Sequence, residues 1–172
     1  MAGYKIEGMA EFELQLSRLA ADADRVAKAA LEEAAGIVAE RVRRNIEALR
    51  EDFQARPYPA QPYRYLPEGG RFSGIPPHQK EDLLNAFGVT KLGVDSNGDW
   101  NIKVGFRDGY GSQPTEIYPK GQPIMLIARS VESGSSIQPK QPFFRPAVEA
   151  TRKRAVETMD RIIAEAAEKI VK

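Results

Sequence analysis

Apolar positions recur at helical spacing in two long stretches of this chain, with two segments rich in β-branched and aromatic residues between them. Phe12, Leu16 and Leu19 fall at helical spacing, and Val26, Ala30, Ala34, Ile37, Val42, Ile46 and Leu49 continue the same stripe. The pattern predicts helix over 8–50. Asp22 to Asp24 predict a joint, because aspartate caps helices well and suits their interior poorly; a short helix would then precede one of about 26 residues. The stripe is rich in alanine, so it packs closely but buries little area per position. A second stripe runs through Val148, Thr151, Ala155, Met159, Ile162, Ala166 and Ile170 and predicts a C-terminal helix from Pro146 onward. Between them, Phe87 to Val94 and Trp100 to Phe106 are rich in β-branched and aromatic residues. They flank Asp95-Ser96-Asn97-Gly98-Asp99, whose Asn-Gly is a strong turn signal, and predict a β-hairpin.

The connections carry their own signals. Residues 51–80 hold six of the twelve prolines, Pro57, Pro59, Pro62, Pro67, Pro76 and Pro77, interleaved with Tyr58, Tyr63, Tyr65 and Phe72. Gly69-Gly70 and Gly74 interrupt any regular element. This predicts a Pro/Tyr-rich loop far longer than the roughly 4–6 residues usual inside a compact domain. Two roles stand open for it: an ordered interface arm, or a loop folded over its own core. Tyrosines on a proline-stiffened loop bind a partner at low entropic cost, so Tyr58, Tyr63, Tyr65 and Phe72 are candidate interface residues. Glu81 to Ala86 suit a short helix, Ile117-Tyr118 a short strand, and Ile124, Ile127, Ala128 and Val131 a short helix ended by Gly134. The stretch from Gln138 to Ala150 is a proline-punctuated turn opening into the last helix. Pro146 suits the first helical position, since it fixes φ and has no N–H to leave unpaired. Pro142, Phe143, Phe144, Arg145 and Pro146 form the candidate anchor, with both rings expected to be buried.

Composition narrows the classes. A chain of 172 residues suits one domain, 1–172. The net charge of +1 argues against a protein whose main task is to neutralise nucleic-acid phosphates. With no cysteine there is no disulfide framework and no thiolate chemistry. No apolar run approaches the ~20 residues that span a bilayer, and Met1 to Ala10 lack a signal-peptide pattern. The expectation is a protein without membrane association that stays where it is made.

Candidate chemistry is sparse. Asp95-x-Asn97-x-Asp99-x-Asn101 opens like a calcium loop, but Trp100 takes the sixth place, where such loops need glycine, and Phe106 takes the place of the bidentate glutamate. His78 is the single histidine, flanked by Pro77 and Gln79, with no cysteine or Gly-x-Ser-x-Gly nucleophile to join. No catalytic, cofactor-binding or metal-binding residue is assigned, and no cofactor is expected. Two basic clusters remain. Arg41, Arg43, Arg44 and Arg50 lie late in the first helix, where cations complement the helix dipole. Arg152, Lys153 and Arg154 lie early in the last, the less favourable end, and are candidates for an acidic partner surface or passing DNA.

Ile127-Ala-Arg-Ser-Val-Glu132-Ser-Gly134 followed by Pro142-Phe-Phe-Arg-Pro146-Ala resembles the C-terminal half of a family of tailed-bacteriophage tail-component proteins, those of tail completion and head–tail joining. Glu132-x-Gly134 matches the family's glutamate–x–glycine step. Phe144-Arg145-Pro146 matches its Phe-Leu-Arg-Pro-like turn, and Leu83-Leu84-Asn85 looks similar to its leucine-containing segment before the first strand. The resemblance implies a structural virion morphogenesis protein of the neck or tail, made in the host cytoplasm and incorporated into the virion. Its partners would be copies of itself in a sixfold or twelvefold ring and neighbouring neck, connector or tail-tube proteins, with genomic DNA passing nearby. A tail terminator or stopper is the alternative within that region. A phage-encoded hydrolase or a DNA-contacting accessory protein is the alternative of another class. The fold expected is α+β: a small antiparallel β-sheet packed against the long N- and C-terminal helices.

Overall fold

The computed structural model describes residues 9–53, 72–114 and 117–171. Two long helices form its frame: α1 (Met9–Glu47) and α4 (Phe144–Val171). Between them come α2 (Pro77–Ala86), a hairpin built of β1 (Phe87–Val89), β2 (Gly93–Val94), β3 (Trp100–Asn101) and β4 (Val104–Phe106), and α3 (Ile124–Ser133). The architecture is α+β, as the residue pattern predicts.

The long helices run antiparallel. Asn45, near the end of α1, donates its side-chain N–H to the Phe143 carbonyl at the start of α4, 2.8 Å away. At the other end, Val26 and Ala29 of α1 face Ile162 and Ala166 of α4. The predicted stripes meet here: Ala30, Ala34, Val42 and Ile46 are buried from α1, Leu49 just past its end, and Ala147, Thr151 and Ala155 from α4. The Thr151 hydroxyl donates to the Ala147 carbonyl one turn back, which satisfies it inside the seam.

No joint divides α1. Asp22 and Asp24 sit within continuous helix because each side chain has a partner that does not need a broken backbone. Asp22 pairs with Arg25 at 3.1 Å, and Asp24 accepts the Trp100 indole N–H at 3.0 Å. That second bond also lays the far end of the hairpin along α1. The hairpin itself is two short ladders: Phe87–Val89 pairs with Val104–Phe106, and Gly93-Val94 with Trp100-Asn101. Its tip is held by Asp95, whose carboxylate accepts the backbone N–H groups of Asn97 and Asp99, while Gly98 takes a positive φ of 89°.

Three boundaries differ from expectation. The short helix before the hairpin starts at Pro77, not Glu81, since Pro76-Pro77 places a proline in the first turn, where its missing N–H costs nothing. The 51–80 loop therefore ends earlier. Residues 117–118 are a bend rather than a strand; the local pairing falls instead between Tyr110 and Pro123, as an isolated bridge. The last helix begins at Phe144, two residues before Pro146, for a reason that lies in the site below.

The core gathers at one end of the frame. Val42 and Ile46 of α1, Ile75, Leu83 of α2, Ile127 and Val131 of α3, and Phe143 are the largest fully buried side chains. Phe106 meets both Phe87 and Phe143 edge-on, at 5.5 and 6.0 Å between centroids.

Candidate functional site

The most constrained surface feature is the junction between α3 and α4. The chain leaves α3 through Gly134 at φ 77°, a left-handed conformation that disfavours a side chain, and a Cβ there would press on Lys140. It then turns tightly: Ser135 N–H donates to the Gln138 carbonyl, Gln138 N–H to the Ser135 hydroxyl, and Gln141 N–H to the Val131 carbonyl. The Glu132 carboxylate, in the last turn of α3, reaches across to the first turn of α4. Its Oε2 accepts from Phe143 N–H and Phe144 N–H at 2.8 and 2.9 Å, and its Oε1 from Arg145 N–H at 3.1 Å. Pro146, next in line, has no N–H. The donors that a helix N-terminus leaves unpaired are thus closed by one carboxylate from a different helix. Partial burial pushes the Glu132 carboxyl up, but the three N–H groups and the Arg145 charge outweigh it, and its pKa lies below the ordinary value.

This cap explains why α4 starts at Phe144. It also sorts the predicted anchor. Phe143 is fully buried, whereas Phe144 is half-buried, packed against the edge of the core rather than within it. Pro142, Arg145 and Pro146 are exposed. The two parts of the Glu-x-Gly and Phe-Arg-Pro pattern are therefore one physical unit, a carboxylate and the helix start that it holds.

The root of the long loop is a second junction, and it leans on the first. Ile75 N–H donates to the Arg50 carbonyl, Asp52 N–H to the Ile75 carbonyl, and Ser73 N–H to the Asp52 carboxylate at 2.8 Å. The Arg50 guanidinium lies on the Ser73 carbonyl. Lys80 reaches the Glu51 carboxylate at 2.6 Å. Gly74 is required here, since a Cβ would strike the Arg50 carbonyl. The Gln141 side chain brackets Arg50, accepting its N–H and donating to its carbonyl, and Phe72 N–H donates to the Ile137 carbonyl. Both ends of the loop therefore leave the body at one point. Phe53 stands 79% exposed at that point and Phe72 is half-buried. Tyr58, Tyr63 and Tyr65 lie outside the described residues.

The basic candidates do not converge. Arg152, Lys153 and Arg154 are all exposed, but neighbours on a helix point about 100° apart, so the three fan around α4. Lys153 faces Glu157 at 3.8 Å. On α1, Arg44 pairs with Glu40, and Arg43 lies over the Phe87 ring, 5.9 Å from its centroid. His78 is half-buried in the first turn of α2. Burial lowers its pKa, and the nearby Asp82 works against that shift. Asp82 itself accepts the Ser112 N–H at 2.9 Å. Among the described residues no three His, Cys, Asp or Glu side chains are grouped to hold a metal ion.

Asn45, Gln141 and Asp52 were missed as structural residues because each acts on backbone distant in sequence. Glu132 stands in the motif, and a proline-flanked helix start without a Ser, Thr, Asp or Asn cap of its own was the available sign that a cap had to come from elsewhere. No family model, curated protein or solved structure matches this chain.

Proposed function

We propose that this chain is a structural component of a tailed-phage neck or tail, of the tail-completion or head–tail joining kind, acting as a closed ring of identical copies. The observation that carries this reading is the Glu132 cap. The resemblance rests on two short patterns separated by a turn, and in this chain those patterns bond to each other and fix where α4 begins. A body from which a long loop leaves and returns at one hydrogen-bonded root suits ring assembly, in which each copy offers two different surfaces to its neighbours. The reading assigns the protein no reaction of its own. Its neighbours would be neck, connector or tail-tube proteins, and its place the virion.

The test is direct. The protein, expressed with the other late products of its phage, is expected in purified particles at the head–tail junction, and as a ring with sixfold or twelvefold symmetry by electron microscopy. Particles that join heads to tails normally after deletion of its gene would sink the proposal. A turnover on peptidoglycan or DNA that His78→Ala abolished would replace it with the enzymatic reading.

A further inference from the structure

The two long helices are unequal, and their pairing is open near the end where they differ. From Asn45 back to Asp22 α1 runs 23 residues, and from Phe143 forward to Ala166 α4 runs 23; Asn45 meets Phe143 at one limit, and Asp22 and Ala166 line one cleft at the other. In that register α4 ends, at Val171, opposite Ser17. Residues 9–16, about 12 Å of α1, stand beyond it. This overhang carries Met9, Phe12 and Leu16 at the spacing of one helix face, in line with the stripe that α4 covers further along. α4 is too short to cover them. Nor can the overhang turn back on its own pair: α1 is one continuous helix, so Phe12 stays 14 residues, about 21 Å, from Val26. Where the helices do run side by side, a cleft of about 270 Å³ lies open between Val26 and Ala29 of α1 and Ile162 and Ala166 of α4. An apolar space of roughly 150 Å³ holds a benzene ring, so this one has room for large apolar side chains.

We propose that the α1 overhang of one copy lies in this cleft of a second copy, and the second copy's overhang in the cleft of the first, so that two helix pairs join as a four-helix bundle. Size and charge both argue for that occupant. The overhang brings large apolar residues with no small-residue seam opposite them. The cleft brings alanines and open volume with no large residue to fill it. Residues 9–17 carry Glu11 and Glu13 and no cation, and on a helix these two stand about 100° to either side of Phe12. Each lip of the cleft carries an exposed cation, Arg25 on α1 and Lys169 on α4. The acids of the lips are already engaged, Asp22 by Arg25 at 3.1 Å and Glu165 by Arg161 at 2.8 Å. A helix seated in the cleft with Phe12 downward thus sets one acid toward each lip. The exchange is reciprocal, as a two-fold contact between identical chains requires. It goes beyond the ring assembly argued above and does not rest on it.

The experiment follows full-length protein by sedimentation across concentration at low salt. Wild type is expected to pair, and Phe12→Ser/Leu16→Ser to raise the dimer Kd by about tenfold or more. Glu11→Lys/Glu13→Lys and Arg25→Glu/Lys169→Glu should each weaken the pair too, because each sets like charges against one another. Mixed in equal amounts, these two charge variants should form a one-to-one heterodimer, since both contacts are then complementary again. Amides of 12–29 and 159–169 should gain protection in paired wild type and in that mixture, and not in either charge variant alone. A mixture that stays monomeric overturns the proposal. So does a wild type monomeric at every concentration, which would leave the cleft open or covered by the chain's own residues. Assembly of Phe12→Ser/Leu16→Ser at wild-type concentrations overturns it as well; rings formed unchanged by that variant would leave the ring reading standing.

Discussion

The two ends of the α1–α4 pair are built differently. At the α1 C-terminal end the helices are sealed by large side chains, Val42, Ile46, Leu83, Ile127, Val131 and Phe143, all within 1% of full burial. At the other end the seam is alanine. Ala30, Ala34, Ala35 and Ala155 are buried, Ile163 is half exposed, and a cleft of about 270 Å³ opens between Val26, Ala29, Ile162 and Ala166. Hydrophobic stabilisation scales with the apolar area removed from water, so the sealed end holds most of it. The pair is thus packed with large side chains at one end, and both junctions described above, the Glu132 cap and the arm root, sit there.

The largest test of this contrast is Phe143→Ala. Removing a fully buried ring typically costs ~3–5 kcal/mol, equivalent to a fall in Tm of roughly 10 °C for a chain of this size. Phe144→Ala, at the edge of the core, should cost less than half as much. A larger loss at Phe144 than at Phe143 would reverse the assignment of the anchor.

Next in size is the cap. Glu132→Ala leaves the first N–H groups of α4 unpaired and should cost about 1–2 kcal/mol in thermal unfolding. Its pH dependence has a definite sign. The folded pKa lies below the unfolded value, so the cap contributes fully above that unfolded value of about 4.3 and is lost as pH falls through the folded one. The gap in Tm between wild type and variant should therefore narrow as pH falls below about 4.3 and close below the folded pKa. A gap that persists unchanged at pH 3 would show that the carboxylate's charge is not what holds the helix.

At the thin end, Ile162→Ala should cost below about 1.5 kcal/mol, because its site already adjoins open volume. Amide exchange should be faster along 22–30 and 159–166 than along 40–47 and 144–152. Equal protection at both ends would abolish the distinction. The smallest effect concerns His78. Its folded pKa lies below the unfolded value, so folding favours the neutral ring. Stability should be fully present above pH ~6.5 and decline as pH falls below it. His78→Gln should flatten that slope in chemical denaturation between pH 7 and 5.

The residue pattern carried the frame of this fold but not its fastenings. Both long helices, the short helix ended by Gly134 and the Asn97-Gly98 hairpin were legible, because each depends on periodicity or turn chemistry within a few residues. The continuity of α1 through Asp22–Asp24 was not, since the partner of Asp24 is an indole 76 positions away. The start of α4 was misplaced by two residues for the same kind of reason: its cap belongs to another helix. The candidate surfaces divide likewise. The anchor at Phe143 was legible, but three consecutive cations read as a cluster only in one dimension; on a helix they face three ways.

The bond between Asn45 and the Phe143 carbonyl closes a span of 98 residues, and it sets the order in which this molecule can be made. As the chain emerges during synthesis at about 5–20 residues per second, α1 waits several seconds before its partner helix exists. During that interval its stripe is open to water and to every other nascent chain. Its middle, where Ala30, Ala34 and Ala35 stand, offers little apolar area per position and is only weakly adhesive. The same alanines that make the finished seam thin limit the apolar area that the unfinished chain presents.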